Sequence, residues 1–275
     1  MKPLIGPQTQ LCMSLAARPG PFGTRFHNRL YDMLELDFVY KAFTTKDLPA
    51  AIQGVRALGI RGCAISMPFK EDVIALLDHL APSAAAIASV NTIVNDEGVL
   101  TGYNTDYIAI ATLLDQANIA PSTPFLLHGA GGMAKAVAAA LRDRGHRQGQ
   151  IIARNAAKGQ TLAEQYGFGW AQAETGLTAP LLINATPLGM VGADADRLAF
   201  AEATIQNAET VFDVVALPVE TPLLSAARKA GRKLISGADV AVLQAVEQFV
   251  LYTGIRPDAA LIDSAAAFAR ANATP

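Results

Sequence analysis

The sequence predicts an α/β fold whose later part is a doubly wound parallel sheet. One observation is the alternation of short apolar runs with amphipathic helical stretches along most of the 275 residues. A second is a glycine-rich turn at 129–134, which directly follows an apolar run and opens an alanine-rich helix. Such alternation is typical of parallel strands joined by right-handed crossovers, so helices are expected on both faces of the sheet.

The apolar runs before residue 120 alternate with helical periods and include one turn-linked pair. The segment Asn95 to Gly98 has the composition of a tight turn, so the runs on either side of it are expected to pair. Strands are expected at 38–43, 62–66, 88–94 and 98–103, and helices at 48–58, 70–80 and 107–117.

The proline-containing segment 120–124 is expected to link this part to a more regular series. After Gly237 the pattern predicts helices to the end of the chain. Strands are expected at 125–128, 150–153, 181–184, 211–214 and 233–235, and helices from the glycine-rich turn to about 144 and at 159–166, 222–230, 240–253 and 258–270.

Composition narrows the class of protein. Apolar residues make up 51% of the chain and charged residues 17%, which supplies a packed core and argues against disorder. The net charge of −2 and the absence of long apolar segments predict no nucleic-acid or membrane partner. Cys12 and Cys63 are too few for a disulfide framework and the N-terminal stretch does not resemble a signal peptide, so a cytoplasmic protein is expected.

The glycine-rich turn is the strongest local signal of function. It fits the G-x-G-x-x-A pattern of dinucleotide-binding folds. Gly129 permits the tight turn, Gly131 lets the backbone approach a pyrophosphate, and Ala134 lets helix and strand pack closely. The phosphates are expected at the helix N-terminus, among unpaired N–H groups.

The next strand indicates which dinucleotide is bound. NAD-binding folds usually end this strand with Asp or Glu, which holds the ribose 2′-hydroxyl. Here the strand leads instead into Arg154 and Lys158, two cations suited to a 2′-phosphate. The alternative is an ordinary solvated loop. We expect NADP(H).

Two polar clusters before the nucleotide part can carry chemistry. Lys70 closes the run Ser66 to Lys70, and Asp106 closes Gly102 to Asp106. A lysine and an aspartate that meet in a cleft can take up and release the proton that moves in alcohol–carbonyl redox chemistry. Taken alone, either residue is more simply an exposed charge beside a turn. The histidines and cysteines show no metal-ligand spacing, so no metal is expected.

Together the motifs resemble the shikimate dehydrogenase family. The resemblance covers nearly the whole chain, and its motifs occur in the family's order. They are S-M-P-F-K-E at 66–71, S-V-N-T-I-V at 89–94, Y-N-T-D at 103–106, G-A-G-G-M-A-K-A at 129–136, N-A-T-P-L-G-M at 184–190, E-T-P-L-L at 220–224, and the spaced Gly237 and Gln244.

The resemblance implies roles for particular residues. Lys70 and Asp106 match the catalytic pair, and Gly237 matches a glycine beside the nicotinamide. Implied substrate ligands are Ser66, Asn91 and Gln244, and implied cofactor ligands are Gly129, Ala130, Gly131, Gly132, Met133, Ala134, Arg154, Asn155, Lys158 and Thr186.

The resemblance also implies an organisation and an activity. An N-terminal α/β substrate domain (1–106, completed by 238–275) would accompany a Rossmann-type NADP-binding domain (107–237). Shikimate would bind with its C3 hydroxyl near Lys70 and Asp106, and its ring hydroxyls would bond to Asn91, Asp106 and Gln244. The implied enzyme acts on a small cyclohexene carboxylic acid as a monomer or homodimer.

The substrate loop departs from the family pattern. Of the usual G-N-P-I-x-H-S-x-S-P-x-x-H-N run only His27-Asn28 is kept, and His27 is expected to pack or cap. Neither substrate-binding serine has a clear equivalent; Ser14 and Thr24 are preferred, with Arg18 as an alternative. Ala216 replaces a tyrosine that normally lines the cleft. We therefore predict weak shikimate turnover.

Two alternatives remain. One is a dehydrogenase of a related substrate, such as quinate or an amino-substituted shikimate. The other is a non-catalytic NADPH-binding sensor, against which the retention of Lys70 and Asp106 argues.

Overall fold

The computed structural model describes residues 3–271, which divide into two compact units. One unit holds the residues up to Thr105 together with those from Val242 onward, and the other spans Asp106–Ala241. The chain therefore leaves the first unit and later returns to it.

The first unit is built on a mixed sheet that contains six strands among the described residues, in the order β2-β1-β3-β5-β6-β4. β1, β2 and β3 run parallel, β5 lies antiparallel to β3 and β6, and β4 lies parallel to β6. The strands are β1 (Gln10–Leu15), β2 (Phe38–Phe43), β3 (Gly62–Ile65), β4 (His79–Leu80), β5 (Thr92–Asp96) and β6 (Val99–Tyr103).

Helices cover both faces of this sheet. Neighbouring residues of β1 point to opposite faces, and each face has its own apolar cluster. Cys12 packs in the apolar cluster of α1, α9 and α10, whereas Met13 packs in the cluster of α2. The helices are α1 (Phe22–Met33), α2 (Leu48–Ala57), a 3-10 helix (Asp72–Leu76), α3 (Pro82–Ala85), α9 (Gly237–Thr253), which begins in the second unit, and α10 (Ala259–Ala271).

The second unit is a parallel sheet with six strands among the described residues, in the order β12-β11-β10-β7-β8-β9. The order reverses between β7 and β10, and in such sheets ligands bind outside the carboxyl ends of the strands at that point. The strands are β7 (Phe125–His128), β8 (Gly149–Ile152), β9 (Gly169–Ala171), β10 (Leu181–Asn184), β11 (Thr210–Asp213) and β12 (Lys233–Ser236).

Five more helices connect or flank these strands within the described part of the chain. α4 starts at the last residue of the first unit, so it carries the chain from one unit to the other. They are α4 (Thr105–Gln116), α5 (Gly132–Asp143), α6 (Ala156–Tyr166), α7 (Glu202–Gln206) and α8 (Pro222–Lys229). The α/β fold predicted from the sequence is confirmed.

The helix predicted at 70–80 is wrong. Only a 3-10 helix forms there, and the chain then extends into β4. Contacts with β6 hold it extended: Asp78 exchanges hydrogen bonds with Leu100, and the Ala81 N–H donates to the Gly102 carbonyl at 2.9 Å. Local helical periodicity was overridden by pairing with a strand that follows later in the sequence.

Two further differences concern strands and helices near the N-terminus. The strand expected at 88–94 lies at Thr92–Asp96, and the sequence analysis did not identify β1 or α1. Prolines and glycines between 18 and 23 obscure the periodicity of α1, and β1 lies parallel to β2 and β3, with neighbours on both sides. No helix of residues 3–271 combines the length and apolar character required to cross a bilayer.

Candidate functional site

The glycine-rich turn in the second unit requires glycine at its first position. Gly129 has φ +128°, and a Cβ there would lie 2.8 Å from the Ala185 carbonyl oxygen. α5 begins at Gly132 after the extended residue Gly131, and no side chain of the described residues caps it. The helix N-terminus is thus open to an anion. Ala134 is fully buried, which lets the helix pack closely on the sheet.

A cleft of about 640 Å³ lies along this turn. Its size suits part of a dinucleotide, and it gathers most of the cofactor residues expected from the sequence. It is lined by His128, Gly129, Ala130, Gly131, Ile152, Ala153, Arg154, Asn155, Lys158, Ala185, Thr186 and Pro187. Gly132 and Met133 follow in the first turn of α5.

The two predicted phosphate-binding cations are exposed on one side of this cleft. Neither Arg154 nor Lys158 forms an ion pair with a carboxylate among residues 3–271. Asn155 caps α6, because its Oδ1 accepts from the Lys158 N–H at 3.0 Å. Asn155 therefore has a structural role in placing Lys158 at the cleft.

Thr186 is held by the strand that precedes it. Its hydroxyl donates to Asn184 Oδ1 at 2.6 Å and accepts from the Leu188 N–H at 3.2 Å. Its methyl carbon lies 3.4 Å from where a Cβ at Gly129 would be. Because its hydroxyl proton is used in the bond to Asn184, Thr186 can contact a ligand in the cleft mainly through its methyl group and backbone.

Asp213, which the sequence analysis did not select, holds the neighbouring loop. It is fully buried, and its carboxylate accepts from Asn184 Nδ2 at 3.0 Å, Val215 N–H at 3.1 Å and Thr221 Oγ1 at 2.6 Å. Burial raises the pKa of Asp213, while these three donors favour the charged form. A Cβ at Gly237 would clash with the Val214–Val215 backbone, so Gly237 packs directly on this loop.

The predicted substrate residue Asn91 is the centre of a hydrogen-bond network in the first unit. It is 3% exposed, and its Oδ1 accepts from Thr92 Oγ1 at 2.9 Å, Thr105 N–H at 2.8 Å and Thr105 Oγ1 at 3.1 Å. Its Nδ2 donates to no residue in the described part of the chain and is not sealed from solvent. The amide orientation is therefore set, and two N–H groups remain for a ligand.

Gln248, which sequence reasoning missed, supports this network from α9. It is 4% exposed, and its Nε2 donates to Thr92 Oγ1 at 3.0 Å and to the Asn91 carbonyl at 3.3 Å. Gln244 lies one helical turn earlier on the same helix and is half-buried. Residues four apart share a helix face, a spacing that could have identified Gln248.

Lys70 and Ser66 follow β3 at the same end of the sheet. Ser66 is exposed and Lys70 is half-buried. The Val90 N–H donates to the Lys70 carbonyl at 2.8 Å, and the Ile65 N–H donates to the Asn91 carbonyl at 2.8 Å. These backbone bonds bring the segment of Lys70 beside the segment of Asn91.

Asp106 lies in the first turn of α4, immediately after two anchored residues. Asn104 Nδ2 donates to the Ser89 carbonyl at 2.9 Å, and the Thr105 N–H bonds to Asn91 Oδ1. The middle residues of Y-N-T-D therefore fasten the start of the helix, and this fixes the backbone position from which Asp106 projects.

Ser14 and Thr24, proposed as carboxylate ligands, have other contacts. Ser14 lies inside β1, where it pairs with Ala42 of β2 and Ala64 of β3. Thr24 lies in the first turn of α1, and its carbonyl accepts from Asn28 Nδ2 at 2.8 Å. A Cβ at Gly23 would lie 3.6 Å from the Tyr40 hydroxyl oxygen, so the start of α1 packs closely on the phenol.

His27 packs in the core, as expected from the sequence. It is fully buried, and its ring stacks on Tyr40 with centroids 4.5 Å apart and on Phe249 at 6.2 Å. Burial lowers the pKa of His27 to about 3, so the ring is neutral. It has a structural role in the aromatic core between α1, β2 and α9.

Comparisons with known proteins agree with this architecture. The family model of the shikimate dehydrogenase substrate binding domain matches residues 22–93. A shikimate dehydrogenase-like protein of Haemophilus influenzae is 55% identical over 97% of this chain and 99% of its own length.

Solved structures provide two further matches. A shikimate 5-dehydrogenase of Thermus thermophilus, in complex with NADP(H) and shikimate, has TM-score 0.84 and 30% identity, covering 94% of this chain and 100% of its own. A quinate dehydrogenase of Corynebacterium glutamicum, in complex with NAD, has TM-score 0.85 and 27% identity, covering 96% and 99%. The turn, the sheet order and these relatives together show that the chain belongs to the shikimate dehydrogenase family.

Proposed function

We propose that this protein is an NADP-dependent oxidoreductase that interconverts shikimate, or a closely related cyclohexene acid, and its 3-keto form. The observation that carries the proposal is the cleft in which Gly129, Arg154 and Lys158 meet. In this proposal residues 107–237 form the cofactor domain, and residues 1–106 with 238–275 form the substrate domain.

The residues of the cleft fit NADP(H). The open N-terminus of α5 suits the pyrophosphate. Among the described residues that line the cleft, Arg154 and Lys158 are the only ones that carry a permanent charge, and His128 is the only other titratable one. Two exposed cations with no acid at this position favour a 2′-phosphate over a free 2′-hydroxyl. When bound, NADP⁺ accepts a hydride from the substrate carbon.

The segments that hold Lys70, Asn91 and Asp106 supply groups for the alcohol. Oxidation breaks the C–H bond, whose electron pair leaves as hydride, and the O–H bond, whose proton must go to the protein. We assign that proton to the pair Lys70 and Asp106. The Nδ2 group of Asn91 donates to a ring hydroxyl, and Gln244 and Ser66 add further polar contacts.

The substrate carboxylate has the fewest candidate ligands in this protein. Ser14 lies within β1, between β2 and β3, and no serine pair follows β1 as in typical family members. Each missing polar contact weakens binding by about 1–3 kcal/mol. We therefore propose weak turnover of shikimate, with quinate or an amino-substituted shikimate as alternative substrates. The quinate dehydrogenase that shares this fold supports the alternative.

The surroundings of the protein follow from the same proposal. Both cysteines are free and buried, which suits a reducing compartment such as the cytoplasm. The partners are small molecules, and the protein acts as a monomer or homodimer.

Saturation kinetics with NADP⁺ and a panel of shikimate, quinate and aminoshikimate test the proposal. We expect slow, NADP-dependent oxidation of at least one of these compounds. Lys70→Ala is expected to lower kcat by about 10²–10⁴-fold. Lys229→Ala, an exposed lysine on α8, is the matched control. A Lys70→Ala enzyme as active as wild type contradicts the catalytic assignment, and a low-millimolar KM with high shikimate turnover contradicts the weak-turnover proposal.

A further inference from the structure

His128 occupies a position in the cofactor cleft for which the proposed function has no use. It is the last residue of β7, directly before Gly129, and it lines the cleft together with Arg154 and Lys158. The side chain is half-buried, with its ring edge-on to Phe200 at a centroid distance of 5.7 Å. A titratable ring is thus built into the wall of the cleft.

The orientation of the ring is determined by one hydrogen bond. His128 Nδ1 lies 2.7 Å from the Ala199 carbonyl oxygen. A carbonyl can only accept, so Nδ1 carries the proton. Nε2 bonds to no other residue in the described part of the chain and is not sealed from solvent. In the neutral ring Nε2 is therefore an accessible lone pair, and protonation converts it into a charged donor.

Two charged groups face this ring from neighbouring segments. Arg154 lies on the β8–α6 loop, and Glu174 lies on the segment after β9, where its carboxylate accepts from the Ala201 N–H at 3.1 and 3.2 Å. Burial, the largest effect, lowers the pKa of His128, and Arg154 acts in the same direction while Glu174 opposes it. The free protein therefore holds a neutral His128 near pH 7.

We propose that His128 is a specificity residue for the cofactor 2′-phosphate, which it binds through a protonated Nε2. The inference rests on the proposed function, since it requires NADP(H) in this cleft. A phosphate that carries nearly two negative charges stabilises the imidazolium, so binding of NADP(H) takes up a proton. The affinity then rises as the pH falls through the pKa of the complex, and levels off below the pKa of the free protein. NAD(H) has no 2′-phosphate and lacks this dependence.

Equilibrium binding of NADPH and NADH to the full-length protein between pH 8 and pH 6 tests the proposal. At pH 6 the 2′-phosphate itself, with a pKa near 6, is about half protonated, and this loss of negative charge acts against the expected gain in affinity. For wild type we expect an affinity for NADPH that is about five- to tenfold greater at pH 6 than at pH 8, and a change for NADH below about twofold.

The variants separate the roles of the two ring nitrogens. His128→Asn retains a donor near the position of Nδ1 for the Ala199 carbonyl but removes Nε2, so we expect it to abolish the pH dependence while NADH affinity is retained. His128→Gln supplies a neutral amide near Nε2 and is also expected to show none. The matched control is His79→Asn, an exposed histidine of β4, which leaves the dependence unchanged.

The possible failures point to different conclusions. If NADPH still binds but His128→Asn keeps the wild-type pH dependence, or if NADH shows the same dependence, the role of His128 is wrong and the cofactor assignment stands. If wild type binds neither dinucleotide, the proposed function itself fails. If both variants fold poorly, calorimetry of the wild type in buffers of different ionisation enthalpy measures the protons taken up on binding each dinucleotide. Uptake with NADPH but not with NADH supports the proposal, and equal uptake with the two dinucleotides overturns it.

Discussion

The proposed cofactor cleft and the Asn91 network, proposed to bind substrate, are built by different means. In the cleft, residues close together in the sequence do most of the work: a glycine turn, an open helix end and two cations within one β-α-β unit. On the substrate side, Asn91 is oriented by Thr105 and by Gln248, which lies 157 residues away. A backbone-built site is robust to substitution of nearby side chains, whereas a side-chain network depends on every member.

This difference matches where the chain departs from its family. The glycine-rich turn keeps the family pattern, while the segment 13–28, which runs from β1 into α1, loses most of it. Positions such as Gly129 tolerate no side chain, but a carboxylate can be bound by many combinations of donors. Substrate specificity can therefore change while cofactor binding stays the same.

The largest expected effect tests the backbone-built site. Gly129→Ala places a Cβ against the Ala185 carbonyl at a φ of +128°, so we expect cofactor affinity to fall by about 100-fold or more, because such strain costs on the order of 1–3 kcal/mol and displaces the turn. The matched control is Gly54→Ala in α2, where a Cβ meets nothing within 4 Å and helix propensity favours alanine. Dinucleotide titration measures the affinity; an unchanged value contradicts the assigned role of the turn.

A second prediction concerns the buried imidazole of His27 in the core of the first unit. The pKa of His27 is near 6.5 in the unfolded chain, and burial lowers it to about 3 in the folded protein. The unfolded state thus binds more protons below 6.5, and stability is lost as the pH falls through this range. Between pH 7 and pH 5 we expect a loss of about 2 kcal/mol from this residue.

Urea unfolding at both pH values measures this loss. His27→Leu is expected to reduce the pH dependence by that amount, and the exposed His79→Asn to leave it unchanged. An identical dependence in His27→Leu and wild type excludes a buried neutral imidazole at this position.

The two cations of the cleft should act on one cofactor only. Arg154→Ala and Lys158→Ala each remove a charge that no carboxylate within residues 3–271 neutralises. We expect each to weaken NADP⁺ binding by about tenfold and to leave NAD⁺ binding within about twofold. The ratio of the two dissociation constants is the measurement. Equal losses for both cofactors would show that these residues support the fold of the loop instead.

The smallest effect probes the side-chain network. Thr105→Val removes the hydroxyl that donates to Asn91 Oδ1 at 3.1 Å, while the backbone donor at 2.8 Å remains. We expect KM for the substrate to rise about fivefold, because the hydrogen bond that helps to orient the Asn91 amide contributes roughly 1 kcal/mol to substrate binding. We expect kcat to be less affected. Thr105→Ser retains the hydroxyl and is the control. A fall in kcat alone would place Thr105 with the proton-transfer groups and not with the Asn91 network.

Several features could be predicted because their cause is local. The strand Phe125–His128 has the residues expected, and the turn, the cations after β8 and the alternation of the second unit follow from short stretches of chain. The helix expected at 70–80 does not form, because β6 pairs with that segment. The helix α1 was not predicted, because prolines and glycines between 18 and 23 obscure its periodicity.

By itself the sequence determined the dinucleotide turn, the positive charge beside it and the family, since each depends on residue types at short, regular spacings. Only the tertiary structure decided that Asn91 Nδ2 has no partner within residues 3–271, that Gln248 and Asp213 support the two candidate sites, and that the His128 ring is oriented by a hydrogen bond through Nδ1. These depend on hydrogen bonds between distant segments, whose partners are chosen by packing and burial and not by local pattern.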